Sequence, residues 1–266
     1  MSAHIDLFYN TYANFTEQVL ASVRAATYGE DIGQNSWVTA DEYRRFMGWL
    51  RLSSDSHVLE VASGSGGPAL YLADQTGCRV TGVDVNPNGV VTAKEAASRH
   101  AAGSRVTFEV ADATAPLPFA DHQFDALLCI DSMNHFPKRF DTLCEWRRVL
   151  KPGGRAVFTD PVVICGLVTN EELAQRSSIG HFVFTPGSLN EGLIAEAGLR
   201  LVHQFDVSEN AAQVSFRWRE VRLRFRDDLL QIEGVERYEG LQKFLAAVHR
   251  LTHERRLSRV AYLVEN

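Results

Sequence analysis

Short apolar strands alternate with amphipathic helices from residue 57 to about residue 160, and this alternation constrains the fold more than any other feature. The strand segments are HVLEVA, RVTGVDV, RVTFEVADA, FDALLCID and RAVFTD. Helical segments such as PALYLADQTG and NGVVTAKEAASRHA lie between them. Strands joined by helices in this way form a parallel sheet that is covered on both faces. The sequence therefore predicts a doubly wound α/β fold.

The segments on either side of this core predict helices that cover it. Residues 1–52 have apolar positions at helical spacing, interrupted by a polar, glycine-containing loop from Tyr28 to Trp37. Near the end of the chain, a long, mostly helical stretch precedes the strand-like segment RVAYLVEN. We expect a single domain over residues 1–266, with a helical lid at 1–52, a cofactor-binding core at 53–207, a helical lid insertion at 208–257 and a last strand at 258–266.

Composition and charge restrict the partners of the chain. Of its 266 residues, 27 are Lys or Arg and 33 are Asp or Glu, which gives a net charge of −6. Because general nucleic-acid binders rely on basic surfaces, this balance argues against such a partner. The arginine-rich run from Arg217 to Arg226 is interpreted as a solvated, salt-bridged helix face.

The cysteines and the apolar runs indicate a compartment. The four cysteines form no CxxC pair, so we expect no metal site and a reducing environment. No apolar run is long enough to cross a bilayer, and the first residues do not resemble a secretory leader. These features predict a cytoplasmic protein without a membrane partner.

A glycine-rich turn follows the first strand of the core. Glycines at such a turn let the backbone approach a ligand closely, and the helix that follows begins with a partly positive N-terminus. A nucleotide-like ligand suits this arrangement. Gly64, Gly66 and Ala69 also fit the dinucleotide pattern G-x-G-x-x-A, and Asp84 lies 20 residues beyond Gly64. The glycines alone therefore leave NAD open as a ligand.

Acidic residues at the ends of three successive strands distinguish between these ligands. Glu60, just before the turn, would attract a cationic amine and repel a pyrophosphate. Asp84 ends the second strand, where a carboxylate can accept both hydroxyls of a ribose. Asp112 ends the third, beside the crevice where an adenine amino group would lie. The three acids favour a ligand with an amino-acid end, a ribose and an adenine over NAD.

These motifs resemble those of the class I S-adenosylmethionine-dependent methyltransferases. In chain order they are Glu60-Val-Ala-Ser-Gly-Ser-Gly66, Asp84, Ala111-Asp112-Ala113, Phe124-Asp-Ala-Leu-Leu-Cys-Ile130 and Leu150-Lys-Pro-Gly-Gly154. The resemblance covers residues 57–160 and implies a Rossmann-like, seven-stranded sheet whose last strand is antiparallel. The chain departs from the pattern at Ala62-Ser63, where family members often have Gly-Cys.

The resemblance also implies S-adenosylmethionine as the cofactor, S-adenosylhomocysteine as its product, and a small-molecule acceptor. The loop from Tyr28 to Trp37 looks like the lid segment of the phosphoethanolamine and sarcosine/dimethylglycine methyltransferases, and we expect it to close over the cofactor. The expected cofactor-binding residues are Tyr28, Trp37, Glu60, Ala62, Gly64, Asp84, Val85, Asn86, Asp112, Ala113, Cys129 and Ile130.

The acceptor site is expected beyond the fourth strand, around Asp131 and His135. On one helical turn these residues would share a face, so that the carboxylate orients the imidazole for proton removal from an amine or a hydroxyl. This Asp-x-x-x-His spacing is similar to that of the phosphoethanolamine and sarcosine/dimethylglycine methyltransferases. In the alternative interpretation, Asp131 lies beside the cofactor and His135 only packs at the helix end.

The sequence thus predicts an enzyme that transfers a methyl group to a small molecule, with an amine nitrogen as the first choice of acceptor. Methylation of an oxygen or a carbon of a specialised metabolite is the nearest alternative. An NAD-dependent oxidoreductase and a non-methylating, cofactor-binding cyclase are the alternatives from other classes.

Overall fold

The computed structural model describes Tyr12 and residues 15–266, and the remainder of the predicted N-terminal lid lies outside the described residues. The helices are Gln18–Tyr28 (α1), Ala40–Trp49 (α2), Gly67–Thr76 (α3), Pro87–Arg99 (α4), Arg139–Val149 (α5), Asn170–Arg176 (α6), Leu189–Glu196 (α7), Ser208–Arg224 (α8) and Arg226–His253 (α9), with single 3₁₀ turns at Gly103–Arg105 and Met133–His135. The strands are His57–Val61 (β1), Arg79–Asp84 (β2), Val106–Val110 (β3), Phe124–Cys129 (β4), Leu150–Ile164 (β5), Thr185–Pro186 (β6), Arg200–Asp206 (β7) and Leu257–Glu265 (β8).

The strands form one mixed sheet in the order β3-β2-β1-β4-β5-β8-β7. Pairing is parallel from β3 through β5, and β8 runs antiparallel between β5 and β7. This confirms the α/β fold with an antiparallel last strand. The described residues add an eighth, two-residue strand, β6, which pairs with the end of β5.

Helices cover both faces of the sheet. On one face, Tyr43 and Phe46 of α2 and Leu72 of α3 are buried against the strands. On the other, Trp146 of α5 and Ile194 of α7 are completely buried. Because both faces are covered, the carboxyl ends of the parallel strands are the edge at which a ligand is expected to bind.

Helices α8 and α9 form the predicted helical insertion. Their aromatic and aliphatic side chains cluster with Tyr28 and Trp37, so the two segments predicted to form a lid are in contact. The interpretation of the arginine run as a solvated face is wrong for Arg222, which is buried and paired with Glu233 at 2.6 Å. Along the described part of the chain, no helix is both long enough and apolar enough to cross a membrane.

The chain leaves two central strands through residues with left-handed backbone. Ala62, after β1, has a φ of 58°, and Asp131, near the end of β4, has a φ of 54°. Residues with a Cβ atom adopt this region at a cost of roughly 1–2 kcal/mol. At both strand ends, a residue with a side chain therefore adopts a backbone conformation that favours glycine.

Ala62→Gly should stabilise the protein by about 0.5–1 kcal/mol, because glycine adopts the left-handed region without the Cβ clash and loses only part of that gain to its greater unfolded-state entropy. Thermal unfolding measures the change. The matched control is Ala69→Gly in α3, where the buried alanine is helical and the same substitution should destabilise by about 1 kcal/mol. An Ala62→Gly protein that unfolds below the wild-type temperature would contradict the prediction.

Candidate active site

Asp84 joins the ends of β1 and β2. Its Oδ2 accepts a hydrogen bond from the Gly64 amide at 2.8 Å, and its Oδ1 accepts one from the Asn86 amide at 2.8 Å. The side chain is buried, and burial raises the pKa of its carboxyl group. Each carboxylate oxygen retains a second lone pair. Asp84 is therefore fixed by the turn and still able to accept from a ligand hydroxyl.

An apolar surface lies directly beside Asp84. The side chain of Val85 is 65% exposed, although it follows a buried strand. Asn86 caps α4, since its Oδ1 accepts from the amides of Asn88 at 2.9 Å and Gly89 at 3.3 Å. An exposed valine next to a capped helix N-terminus provides a surface against which a flat ring can pack.

The predicted residues after β3 and β4 lie along the same edge. Asp112 is exposed, and its Oδ1 accepts from the amide and the hydroxyl of Thr114 at 2.9 and 2.7 Å. Ala113 and Cys129 are buried, and burial raises the pKa of the Cys129 thiol. Ile130 packs partly buried against the core. Cys129 and Ile130 can therefore offer a ligand mainly their backbone.

Glu60 is a buried carboxyl group with one free oxygen. Its Oε1 accepts from the Tyr43 hydroxyl at 3.3 Å, whereas Oε2 has no hydrogen-bond partner among the described residues. Burial, reinforced by the nearby Asp84, raises the pKa of Glu60 to about 8. A buried polar atom without a hydrogen-bond partner costs about 1–3 kcal/mol. The site is thus suited to a cationic donor, as the amine of S-adenosylmethionine would be.

Two segments that precede the core lie on the glycine turn. The backbones of Gly33 and Gly67 approach so closely that a Cβ atom on Gly33 would lie 2.9 Å from the Cα of Gly67. Tyr12 lies over Gly64, where an added Cβ atom would be 2.6 Å from its hydroxyl oxygen. No sequence motif marks Tyr12, and sequence reasoning missed it.

Asp131 accepts hydrogen bonds from three segments of the chain, and none of them is the turn that carries His135. Its Oδ1 accepts from Thr159 Oγ1 at 2.8 Å and from Arg259 Nε at 2.6 Å, and its Oδ2 accepts from the Trp37 amide at 2.8 Å. Asp131 therefore binds these three groups in place of the predicted pairing with His135. The 3₁₀ turn begins only at Met133, so the two residues do not share a helical face.

Arg259 extends this network to the lid. Its guanidinium is completely buried, and Nη1 donates to Glu42 Oε2 of α2 at 2.7 Å. Sequence reasoning missed both Arg259 and Glu42. The available signal was weak: a single arginine within the otherwise mainly apolar segment RVAYLVEN.

The His181 carbonyl contacts the His135 ring where the sequence predicted Asp131. Nδ1 lies 2.7 Å from the His181 carbonyl oxygen, so Nδ1 donates and carries the proton of the neutral ring. Nε2 is the unprotonated nitrogen, 3.2 Å from Asn134 Nδ2. Burial lowers the pKa of His135 from 6.5. The imidazole is therefore held neutral, with Nε2 as its basic atom.

Another buried ion pair lies in the second half of β5. Arg139 Nη1 donates to Asp160 Oδ2, which also accepts from Asn190 Nδ2 at 2.8 Å and Thr185 Oγ1 at 3.1 Å. Together with the Arg259 network, this means that Asp131, Asp160 and Glu42 each bind an arginine of the chain itself.

Comparison with known proteins identifies the family. Residues 59–158 match the family described as "Methyltransferase domain". The 27-O-demethylrifamycin SV methyltransferase of Amycolatopsis mediterranei (strain S699) is 30% identical over 213 residues, 76% of this chain and 75% of that protein. The chain belongs to the S-adenosylmethionine-dependent methyltransferases. This confirms the predicted family and cofactor.

Two further relatives define the extent of the similarity. Methyltransferase GfsG of Streptomyces halstedii is 36% identical over 171 residues, 60% of this chain and 58% of that protein. Phosphoethanolamine N-methyltransferase 2 of Haemonchus contortus, solved in complex with S-adenosyl-L-methionine, has a TM-score of 0.80 at 18% identity and covers 97% of this chain and 60% of that one. The match thus spans less than two thirds of either methyltransferase, and the second shows the fold alone.

Glu60→Gln should remove a pH dependence from the stability of this methyltransferase. The pKa of Glu60 is about 8 in the folded protein against an ordinary 4.5, so its contribution to stability is fully present below pH 4.5 and is lost as the pH rises through 8. Glutamine keeps the acceptor for Tyr43 and cannot ionise. Between pH 5 and pH 8, the free energy of unfolding of the variant should rise by roughly a few kcal/mol relative to that of the wild type.

Chemical denaturation at a series of pH values measures this difference. The matched control is Glu109→Gln on the exposed side of β3, which should follow the wild type throughout. If the difference between Glu60→Gln and the wild type does not change with pH, the Glu60 carboxyl group is not held protonated by its surroundings.

Proposed function

We propose that this methyltransferase transfers a methyl group to an oxygen of a small molecule, bound between the carboxyl ends of β4 and β5 and the helices α8 and α9. The observation that carries the proposal is the pairing of the buried acids on this side. Asp131 and Asp160 are bound by Arg259 and Arg139. Asp131 and Asp160 also accept from further donors of the chain, so neither is an open partner for an ammonium group, whereas a hydroxyl group needs none.

The pairing of these acids is the reason to prefer oxygen over the amine nitrogen favoured from sequence. The relative from Amycolatopsis mediterranei supports the same chemistry, since its name specifies an oxygen position. The aromatic cluster of Trp37, Phe182, Trp218 and Phe244 around the proposed acceptor site suits an apolar organic molecule.

On the cofactor side, the bound S-adenosylmethionine would supply a methyl group that is already activated by its sulfonium. The chain then has to align the reactants, exclude water and accept a proton. We assign Glu60 to the amine, Asp84 to the ribose hydroxyls and Asp112 with Val85 to the adenine. The backbone of Ala62, Gly64, Asn86, Ala113, Cys129 and Ile130 completes this side, and the Tyr28 to Trp37 loop closes it.

On the acceptor side, we assign His135 as the general base. The acceptor hydroxyl would give its proton to Nε2 as its oxygen bonds to the methyl carbon, and the carbon–sulfur bond would break to leave S-adenosylhomocysteine. The His181 carbonyl keeps Nδ1 protonated and thus keeps Nε2 as the basic atom. Asp131 holds the Trp37 amide, so its proposed role is to anchor the lid.

The choice of acceptor atom is tested with pairs of small aromatic compounds that differ only in a hydroxyl for an amine. The purified protein is incubated with S-adenosylmethionine and one compound at a time, and S-adenosylhomocysteine formation is measured. We expect product with hydroxyl members only. Turnover confined to the amine members would reverse the choice, and binding of S-adenosylhomocysteine without turnover across a broad panel would favour the cyclase alternative.

His135→Ala should lower kcat by about 10²- to 10⁴-fold, because general-base assistance is lost. The affinity for S-adenosylhomocysteine, measured by calorimetry, should stay near the wild-type value. Because the pKa of His135 lies below 6.5, the wild-type rate should be constant from about pH 7 upward and fall in more acidic buffer.

The control for the base is His181→Ala. The side chain of His181 is exposed and only its carbonyl binds His135, so this substitution should leave kcat unchanged. If the kcat of His135→Ala equals that of the wild type from pH 6 to pH 9, His135 is not the general base. Alignment of the reactants then accounts for catalysis.

A further inference from the structure

Arg176 is a buried guanidinium without an acidic partner. It ends α6 and is 1% exposed. Its Nε and Nη1 have no hydrogen-bond partner among the described residues, and Nη2 reaches only the Pro161 carbonyl, at 3.4 Å. By contrast, the buried Arg139, Arg222 and Arg259 each pair with a carboxylate. Arg176 thus has donors in the interior that no group of the described chain satisfies.

Three aromatic rings surround this guanidinium. Its central carbon lies 5.1 Å from the ring centroid of Phe182, 5.2 Å from that of Phe244 and 6.0 Å from that of Trp37. These cation–π contacts offset only part of the cost of removing the charge from water, and they leave the N–H groups without acceptors. Burial lowers the pKa of Arg176 to about 10, so the group remains charged at neutral pH.

The same rings connect Arg176 to the proposed acceptor site. The Phe182 ring packs edge-on against the His135 ring, with 4.9 Å between their centroids. Trp37 is the residue whose amide binds Asp131. A molecule whose hydroxyl group reaches His135 would therefore have its remaining atoms among these rings, next to the unsatisfied donors.

We infer that Arg176 binds a carboxylate group of the methyl acceptor, and this inference rests on the proposed function for the location of the acceptor. The planar guanidinium matches a carboxylate, which accepts from two of its N–H groups at once. The nearby Asp131 and Asp160 accept from Arg259 and Arg139, which leaves the N–H groups of Arg176 for a ligand. The flanking rings suit a flat, apolar body. The class of substrate is thus an aromatic or unsaturated acid that also carries a hydroxyl.

The test uses benzoate, its neutral isostere benzamide, and phenyl phosphate as probes of the complex with S-adenosylhomocysteine. Calorimetry should show that the wild type binds benzoate at least about tenfold more tightly than benzamide, because only benzoate satisfies the charge. Arg176→Met should abolish this preference and Arg176→Lys should retain part of it. The matched control, Arg217→Met, removes an exposed arginine of α8 and should keep the full preference.

Equal affinity of the wild type for benzoate and benzamide would overturn the inference, as would a preference that survives in Arg176→Met. Tighter, Arg176-dependent binding of phenyl phosphate would overturn the carboxylate class. If Arg176→Met does not fold, the preference of the wild type for benzoate and its reduction in Arg176→Lys still decide whether Arg176 binds the carboxylate. Turnover of the hydroxyl and amine pairs is measured without these probes, so a failure of the proposed function is seen separately.

Discussion

The buried Arg259 network is the interaction on which the site depends. This arginine comes from β8, the last strand, and joins Asp131 at the end of β4 to Glu42 of α2. Removing one partner from such a network leaves an uncompensated charge in the interior, which is strongly destabilising. The left-handed turn at Asp131, the lid loop and the antiparallel strand are therefore stabilised together, and the C-terminal strand helps to build a site whose motifs all lie earlier in the chain.

The fold and the positions of the glycine turn and its acids were predictable because their signals are local. Alternating strands and helices, a glycine turn and an acid at each strand end follow from single strand–helix–strand units, and the hydrogen bond from Gly64 to Asp84 spans only 20 residues. Glu60, Gly64 and Asp84 accordingly lie where the pattern places them. Tyr12 was not predictable, because its contact with Gly64 depends on how a distant segment folds back over the turn.

The surroundings of Asp131 and His135 were predicted less well because charge pairing acts between residues far apart in sequence. Asp131 and His135 have a spacing that suggests a pair, but Asp131 binds an arginine 128 residues further on. Arg222 illustrates the same limit, since a run of arginines gives no sign that one member is buried against Glu233. A sequence shows which side chains are charged, whereas the packing of the helices decides which charges meet.

The lid loop is attached at two places, and this has a consequence for the exchange of ligands. Gly33 packs on the glycine turn after β1, and the Trp37 amide binds Asp131 near the end of β4. The loop cannot move away from the turn after β1 without weakening its hydrogen bond to Asp131. With the acceptor bound as proposed, one gate would serve both reactants, and the departure of the spent cofactor would be coupled to the departure of the methylated product.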